Sequence, residues 1–482
     1  MNLSSLKDFG DWISPIIVKE LRQGMRTKVF TAAFIVLQGF MVLFILMGWN
    51  SDRTSQSDEA TSLFWWCVFI TLILVMPLRG FGALSSEIRL DTMDLIALTQ
   101  LSSWRITAGK WAALISQSIL VSIAVMPYVV LRYFFGGVNL VAELVYLGGS
   151  LLMSCLLSAV MVGLSAFPNF LVRGVLAVAS VIGGVVLIEQ FIRSGVESSS
   201  GIPLSDIPGV GYLYLGLIGG ALFLMYYFLD MGATRIAPEA VNYSTRKRLL
   251  SILFLGGVLS IPIFFKGTIA PQPFYLAGAI LIGLFALDAL TEKPSGVRSL
   301  HRRFSTSGPI GAFFQLLLTP GWFTGVFYVL IMGGMLFGMD TLTNATDFKD
   351  LEGLTIHLSF VGLLVFPLLV IHLFYPEQTE FFAAYFFIHC AAAAVGGALA
   401  IIDEAAGIRA IMWAGCPIPF VSYLMAWQDQ YDNGLPLLLL AGTTLIIAVG
   451  VCIWRGVPQI QLWSQFRAEI REERRGPKEI GE

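Results

Sequence analysis

Charge is what this sequence has least of. Asp, Glu, Lys and Arg make up 13% of its 482 residues, where a water-soluble domain carries roughly 25%. Histidine is nearly absent as well. His301, His357, His372 and His389 are followed by Arg, Leu, Leu and Cys, so no His-Glu-x-x-His zinc site exists. Cys67, Cys155, Cys390, Cys416 and Cys452 lie in or beside hydrophobic runs without close pairing. They read as small apolar packers rather than disulfide partners or metal ligands. A phosphate-binding Gly-x-x-x-x-Gly-Lys-Ser/Thr is missing, because Gly109-Lys110 has Trp104 where the first glycine should stand. The nearest approach to a serine-nucleophile elbow, Gly163-Leu164-Ser165-Ala166-Phe167, lacks its final glycine. The chain thus carries no nucleotide-binding or catalytic motif, and nothing in it points to nucleic acid.

Apolar runs are what the sequence has in abundance. Hydrophobic residues fill 56% of positions and the mean hydropathy is +0.78. Runs long enough to cross a bilayer, near the ~20 residues a helix needs, fall at about 29–49, 61–78, 111–135, 142–166, 171–192 and 210–230. A second set falls at about 249–265, 274–290, 322–339, 355–374, 380–402 and 435–454. The first run begins only near Val29 and is long enough to stay in the bilayer, so no cleavable signal is expected. The stretch 408–427 is broken by Pro417 and Pro419 and reads as a re-entrant or interfacial segment. With about twelve crossings and the N-terminus inside, most of the 30 Lys and Arg lie on one side. The exceptions are Arg53, Arg132, Arg193, Lys266, Lys349 and Arg409. Such a bias sets both termini, including the basic tail 455–482, in the cytoplasm.

Two stretches outside the apolar runs have a pattern of their own. Ser14-Pro15 marks a helix start, and over 13–28 Ile13, Ile17, Leu21 and Met25 recur four apart while Lys19, Glu20, Arg22 and Arg26 take other faces. That is an amphipathic helix lying along the bilayer surface, or equally a positively charged topology flank. The other stretch is the long polar interruption Ser85 to Lys110. Within it Ile88, Met93, Leu95, Ile96 and Leu98 mix with Glu87, Arg89, Asp91 and Asp94 at helical spacing. Ser102 and Ser103 then offer a hydroxyl cap for a helix beginning near Trp104.

The interruption resembles the export-type (type-2) permeases of ATP-binding-cassette transporters. Their pattern is Ser-x-Glu, a spacer, Gly-Thr-Leu-Glu/Asp-Leu-Leu, Thr-Pro-Leu-Ser, an Ile and Gly-Lys. Here Ser85 or Ser86 with Glu87, Thr92-Met93-Asp94-Leu95-Ile96, Thr99, Leu101-Ser102, Ile106 and Gly109-Lys110 match in order. Asp91 stands in place of the glycine and Gln100 in place of the proline. The opening Pro15 to Arg26 is similar to the start of many such permeases. The resemblance implies that 85–110 is a coupling helix between the second and third spans, docking on a separate ABC ATPase subunit that holds ATP and Mg. It implies an ATP-driven exporter in a bacterial inner membrane. The alternative to coupling is an interfacial loop that merely anchors two spans.

The expected fold is all-α: a polytopic membrane protein of two six-helix halves, 1–240 and 241–482, joined by a cytoplasmic linker over Met231 to Arg248. A working exporter needs two six-helix units. The second half is then a degenerate partner, or an added domain while a second permease chain or another copy completes the exporter. A gradient-driven transporter using His389, near mid-span, and a membrane scaffold are the other readings. Arg132, Glu143, Glu189, Asp230, Asp288 and His372 fall near span ends, where snorkelling accounts for them. Glu377 and Glu380 suit a helix N-terminus, and His389 reads as a hydrogen-bonded packing residue. Gly216-x-x-x-Gly220 and Gly334-x-x-x-Gly338 would let helices approach closely.

Overall fold

A computed structural model describes residues 15–49, 58–85, 88, 102–135, 139–199, 210–238, 241–267, 269–305, 308–345, 350–375, 381–407, 409–427 and 434–475. The described residues are helical and contain no strand. Eleven of their helices are long and apolar enough to cross a membrane. These cover every expected span except 210–230, where a 27-residue helix forms all the same. Without water to satisfy backbone polar groups, helices are how such apolar runs can enter a bilayer. The chain is an all-helical, membrane-embedded protein. It divides into two compact units, Met1–Ala237 and Pro238–Glu482.

In the first unit, α1 (Pro15–Met25) lies against α5 (Ser103–Phe135), and α2 (Lys28–Trp49) precedes α3 (Asp58–Phe69). From α3 the chain continues through a π-helical stretch, Ile70–Val75, then α4 (Met76–Leu78) and a 3₁₀ turn, Arg79–Gly82. Pro77 supplies no backbone N–H here, and a change of helical pitch accommodates such a gap. Helix α6 (Leu140–Leu164) is the axis of the unit, packed by α5, by α7 (Phe170–Ser199) and by α8 (Val210–Ile236). Within its apolar run Ser150, Ser154 and Ser158 are buried. Ser154 Oγ donates to Ser118 Oγ at 3.1 Å. At Gly163 a side chain would strike the Phe228 carbonyl, and a Cβ on Gly232 would lie 3.0 Å from the Gly163 Cα. The backbones of α6 and α8 cross at these two glycines.

In the second unit, α9 (Ser244–Phe264), α10 (Gln272–Ala289) and α13 (Trp322–Thr343) pack together, with the short α11 (Arg298–Ser305) and α12 (Gly308–Leu318) between the last two in sequence. Helix α14 (Asp350–Phe374) runs along α18 (Gly434–Arg475), and α15 (Phe381–Ala406) leads into α16 (Arg409–Gly415) and α17 (Pro419–Trp427). The proline-broken stretch is thus a pair of helices of 7 and 9 residues, each well short of the ~20 needed to span. They close over Met412, Cys416, Val421 and Met425, packed with Leu437 of α18. The tail expected after 454 continues α18 as helix to Arg475, 42 residues in all.

Three expectations need correction. Arg132 and Glu143 do not snorkel; both are buried, and Arg132 Nη1 lies 3.0 Å from Glu143 Oε2. Thr61 Oγ1 accepts from Arg132 Nη2 at 3.0 Å, and Trp65 Nε1 donates to Glu143 at 3.4 Å. The packing of α5 on α6 brings opposite charges together, so each escapes the cost of lone burial. Asp230, Asp288 and His372 are buried too, His372 with its ring 4.0 Å from that of Trp322. Second, the linker expected over Met231 to Arg248 contains the boundary between the units, at Ala237/Pro238, but is narrower than that range. Helix α8 runs to Ile236 and α9 starts at Ser244, with Lys247 and Arg248 buried. Third, a Cβ on Gly216, Gly334 or Gly338 would meet nothing within 4 Å, so these glycines are not where the described helices come close. His389 stacks on Tyr385 at 4.9 Å, and its Nδ1 has no hydrogen-bond partner among the described residues. Glu377 and Glu380 lie outside the described residues.

Candidate functional site

The site is built at the end of the first unit where α1 meets the polar interruption. Ser102 Oγ accepts from the Arg105 N–H at 3.4 Å, and the Ser102 carbonyl accepts from Ile106, which starts α5. One turn on, Gly109 is buried against α1: an added Cβ would lie 3.0 Å from Ile16 Cγ2 and 3.7 Å from Ile17 Cγ1. Next to it the buried Lys110 reaches Glu20 on α1, with Nζ 3.0 Å from Oε1. The glycine admits the helix and the lysine holds it by a charge-assisted bond.

This contact turns α1 differently from the stripe expected for it. Ile17 and Leu21 are half-buried, Met25 is exposed and Ile13 lies outside the described residues. Lys19, Arg22 and Arg26 are exposed as expected, whereas Glu20 faces the protein rather than solvent. Ile16, beside Ile17, joins the core around Leu84, Ile106 and Leu229.

The other end of the interruption is held as well. Ser165 Oγ accepts from the Leu84 N–H at 3.0 Å, and Ser85 is buried. The Arg173 guanidinium sits 4.5 Å from the Phe81 ring centre. Of the sequence-derived coupling residues, Ser102, Gly109 and Lys110 are described. Ser86, Glu87, Thr92, Asp94, Leu95, Ile96, Thr99 and Leu101 lie outside the described residues.

Between α1, the Arg79–Gly82 turn and α5 lies a pocket of about 460 Å³. Arg79, half-buried, is one of its cations. It donates to the Gly24 carbonyl at 2.8 Å, to Thr27 Oγ1 at 3.0 Å and to Gln117 Oε1. Lys19 and Lys110 add two more cations, and Glu20 is the carboxylate present among the described lining residues. Sequence reasoning missed this arrangement, since Arg79 just follows the run 61–78 and Gln117 sits inside the run 111–135, with no motif around either.

A second polar cluster, in the other unit, ties α9, α10 and α13 together. Lys247 Nζ lies 2.6 Å from Asp288 Oδ2 and 2.9 Å from Glu292 Oε1, and Arg248 Nη2 lies 2.7 Å from Glu292 Oε2. Ser244 donates to Glu292 at 2.8 Å, and Arg248 also donates to Thr324 Oγ1 and to the Leu317 and Gly321 carbonyls. Burial pushes the Glu292 carboxyl up, but Lys247, Arg248 and the hydrogen bonds outweigh it and hold it at about 2. The cluster balances two cations with two carboxylates, which makes it a fixed brace rather than a binding site. Asp288 and Glu292, four apart beside a basic triplet in the preceding helix, are the signal that could have revealed it.

Among the described residues no three His, Cys, Asp or Glu side chains gather as metal ligands. Compared with models of protein families, with curated proteins and with solved structures, the chain matches none.

Proposed function

We propose that this chain is the membrane-spanning permease subunit of an ATP-driven exporter of the type-2 ABC class, with residues 85–110 receiving the stroke of a separate ATPase subunit. The supporting observation is that the interruption is clamped at both ends. Leu84 is bonded to Ser165 on one side, and Gly109 with Lys110 is seated on α1 at the other. A segment that must move two helices together has to be stiffly joined to each, and a clamped segment meets that need where a slack tether would not. On this reading ATP and Mg bind the partner, both termini face the cytoplasm of a bacterial inner membrane, and the second six-helix half or another permease chain completes the exporter.

The test is co-purification. Asp94→Arg, or Leu95→Asp with Ile96→Asp, is expected to leave the permease folded in mild detergent while the ATPase subunit and its stimulated turnover are lost. Full retention of both in the variant complexes would refute the coupling role.

A further inference from the structure

We propose that the pocket between α1, the Arg79–Gly82 turn and α5 is a binding site for the phosphate of an anionic membrane lipid. The proposal needs only the membrane placement of the chain and stands apart from the exporter reading.

Its first ground is charge. Cations placed in a low-dielectric setting are normally matched by carboxylates, as Arg132 is by Glu143 and as Lys247 and Arg248 are by Asp288 and Glu292. Arg79 departs from this pattern: its hydrogen bonds go to neutral oxygens of Gly24, Thr27 and Gln117. Lys110 has Glu20, but Lys19, on the rim, meets no carboxylate among the described residues. Among the described lining residues three cations, Arg79, Lys19 and Lys110, face one carboxylate, Glu20, an excess of positive charge that an anion would neutralise.

The second ground is shape and place. About 460 Å³ is room for a phosphate with its glycerol, though not for acyl chains. Those chains have somewhere to go, because Val29 is 57% exposed and Met25 and Leu78 are each 40% exposed beside the pocket. A helix with a cationic outer face, laid along the bilayer surface, meets lipid headgroups at just this level. Gln23 and Thr27 on the lining supply neutral polar groups at the same height. An anion that brings its own apolar tail satisfies both the charge excess and the exposed apolar rim, whereas a free anion satisfies only the first.

The experiment uses the full-length chain reconstituted in nanodiscs of phosphatidylcholine, titrated with a photoactivatable phosphatidylglycerol and mapped by mass spectrometry. Crosslinks are expected in 19–29 and 79–83, with apparent affinity falling about fivefold for each cation removed, in Arg79→Gln and Lys19→Gln. The exposed Lys19 makes no tertiary bond among the described residues, so Lys19→Gln keeps the test sound if Arg79→Gln unfolds. Binding should weaken as salt rises, as contacts between a phosphate and partly exposed cations do. Equal labelling by photoactivatable phosphatidylcholine, or unchanged affinity in Lys19→Gln, would overturn the proposal. Competition by inorganic phosphate at the same concentration as the lipid would identify a free-anion site and overturn the lipid assignment.

Discussion

Lys110 on α5 reaches across 90 residues of sequence to Glu20 on α1, with 3.0 Å between Nζ and Oε1. The lysine side chain is 7% exposed and the glutamate 22%, so the pair is only partly screened. Reversing one charge should free α1 from α5, and reversing both should recover it. Glu20→Lys and Lys110→Glu are each expected to raise hydrogen exchange over 15–25, while the double exchange returns it toward the parent level. A coupling of about 1 kcal/mol is expected from the double-mutant cycle. Additive single effects, with no recovery, would show that the pair does not hold the helix.

Gly109 bears on the same contact through space rather than charge. Ile16 Cγ2 would stand 3.0 Å from a new Cβ, closer than packed carbons tolerate. Gly109→Ala should cost little once Ile16 gives way. Gly109→Leu should overpack the site by about 1–3 kcal/mol and displace α1, seen as a lower unfolding temperature. Adding Ile16→Ala should recover part of that loss, and no recovery would place the strain elsewhere.

These two contacts also mark where sequence reading reaches and where it stops. Span positions were legible because a bilayer demands long uninterrupted apolar stretches, and 29–49 or 435–454 satisfy that without reference to any other residue. The pairings were not, because they join residues far apart: Arg79 to Gly24 and Gln117, or Lys247 to Glu292. Arg132 and Glu143 looked like span-end charges free to reach water, and only the packing of α5 on α6 with Trp65 buries them. The small-residue spacing at Gly334 and Gly338 described a face without saying what meets it, whereas the close crossing fell at Gly163 and Gly232. At the candidate site, Gly109-Lys110 drew notice through a resemblance. Their contact with Ile16 and Glu20 became visible only in three dimensions.

The brace of the second unit makes a prediction about acid. Glu292 is held at about 2 because Lys247 and Arg248 overcome the opposing effect of burial. Its folded pKa lies below the unfolded value of about 4.3. The stabilisation is therefore complete above that value and is lost as pH falls toward 2. Thermal unfolding in detergent should lose stability between pH 5 and 3 in the parent and much less steeply in Glu292→Gln. At neutral pH the same variant should cost about 3 kcal/mol or more, since it leaves buried cations short of a partner. Parallel acid profiles for the two proteins would exclude Glu292 as the group responsible.

His301 predicts a dependence of the same sign at milder acidity. Its Nε2 lies 3.3 Å from the Ser295 carbonyl and its Nδ1 3.1 Å from Gln315 Nε2. The ring therefore donates at Nε2 and accepts at Nδ1, which is the neutral form. The rings of Trp463 and Phe466 on α18 each lie 5.7 Å away, so this histidine fastens α11 and α12 to the end of the last helix. Burial lowers its pKa, and the bond to Ser295 offsets this only in part. Because the folded state binds the proton less readily, stability is full above the ordinary histidine value of about 6.5 and declines as pH falls below it. A second proton would also cost Nδ1 its bond from Gln315. Proteolysis within 298–318 should therefore quicken between pH 7.5 and 5.5, by no more than about tenfold per pH unit for a single proton. His301→Leu should remove that slope while keeping the contacts with Trp463 and Phe466. A slope that survives the substitution would assign the acid sensitivity to another group.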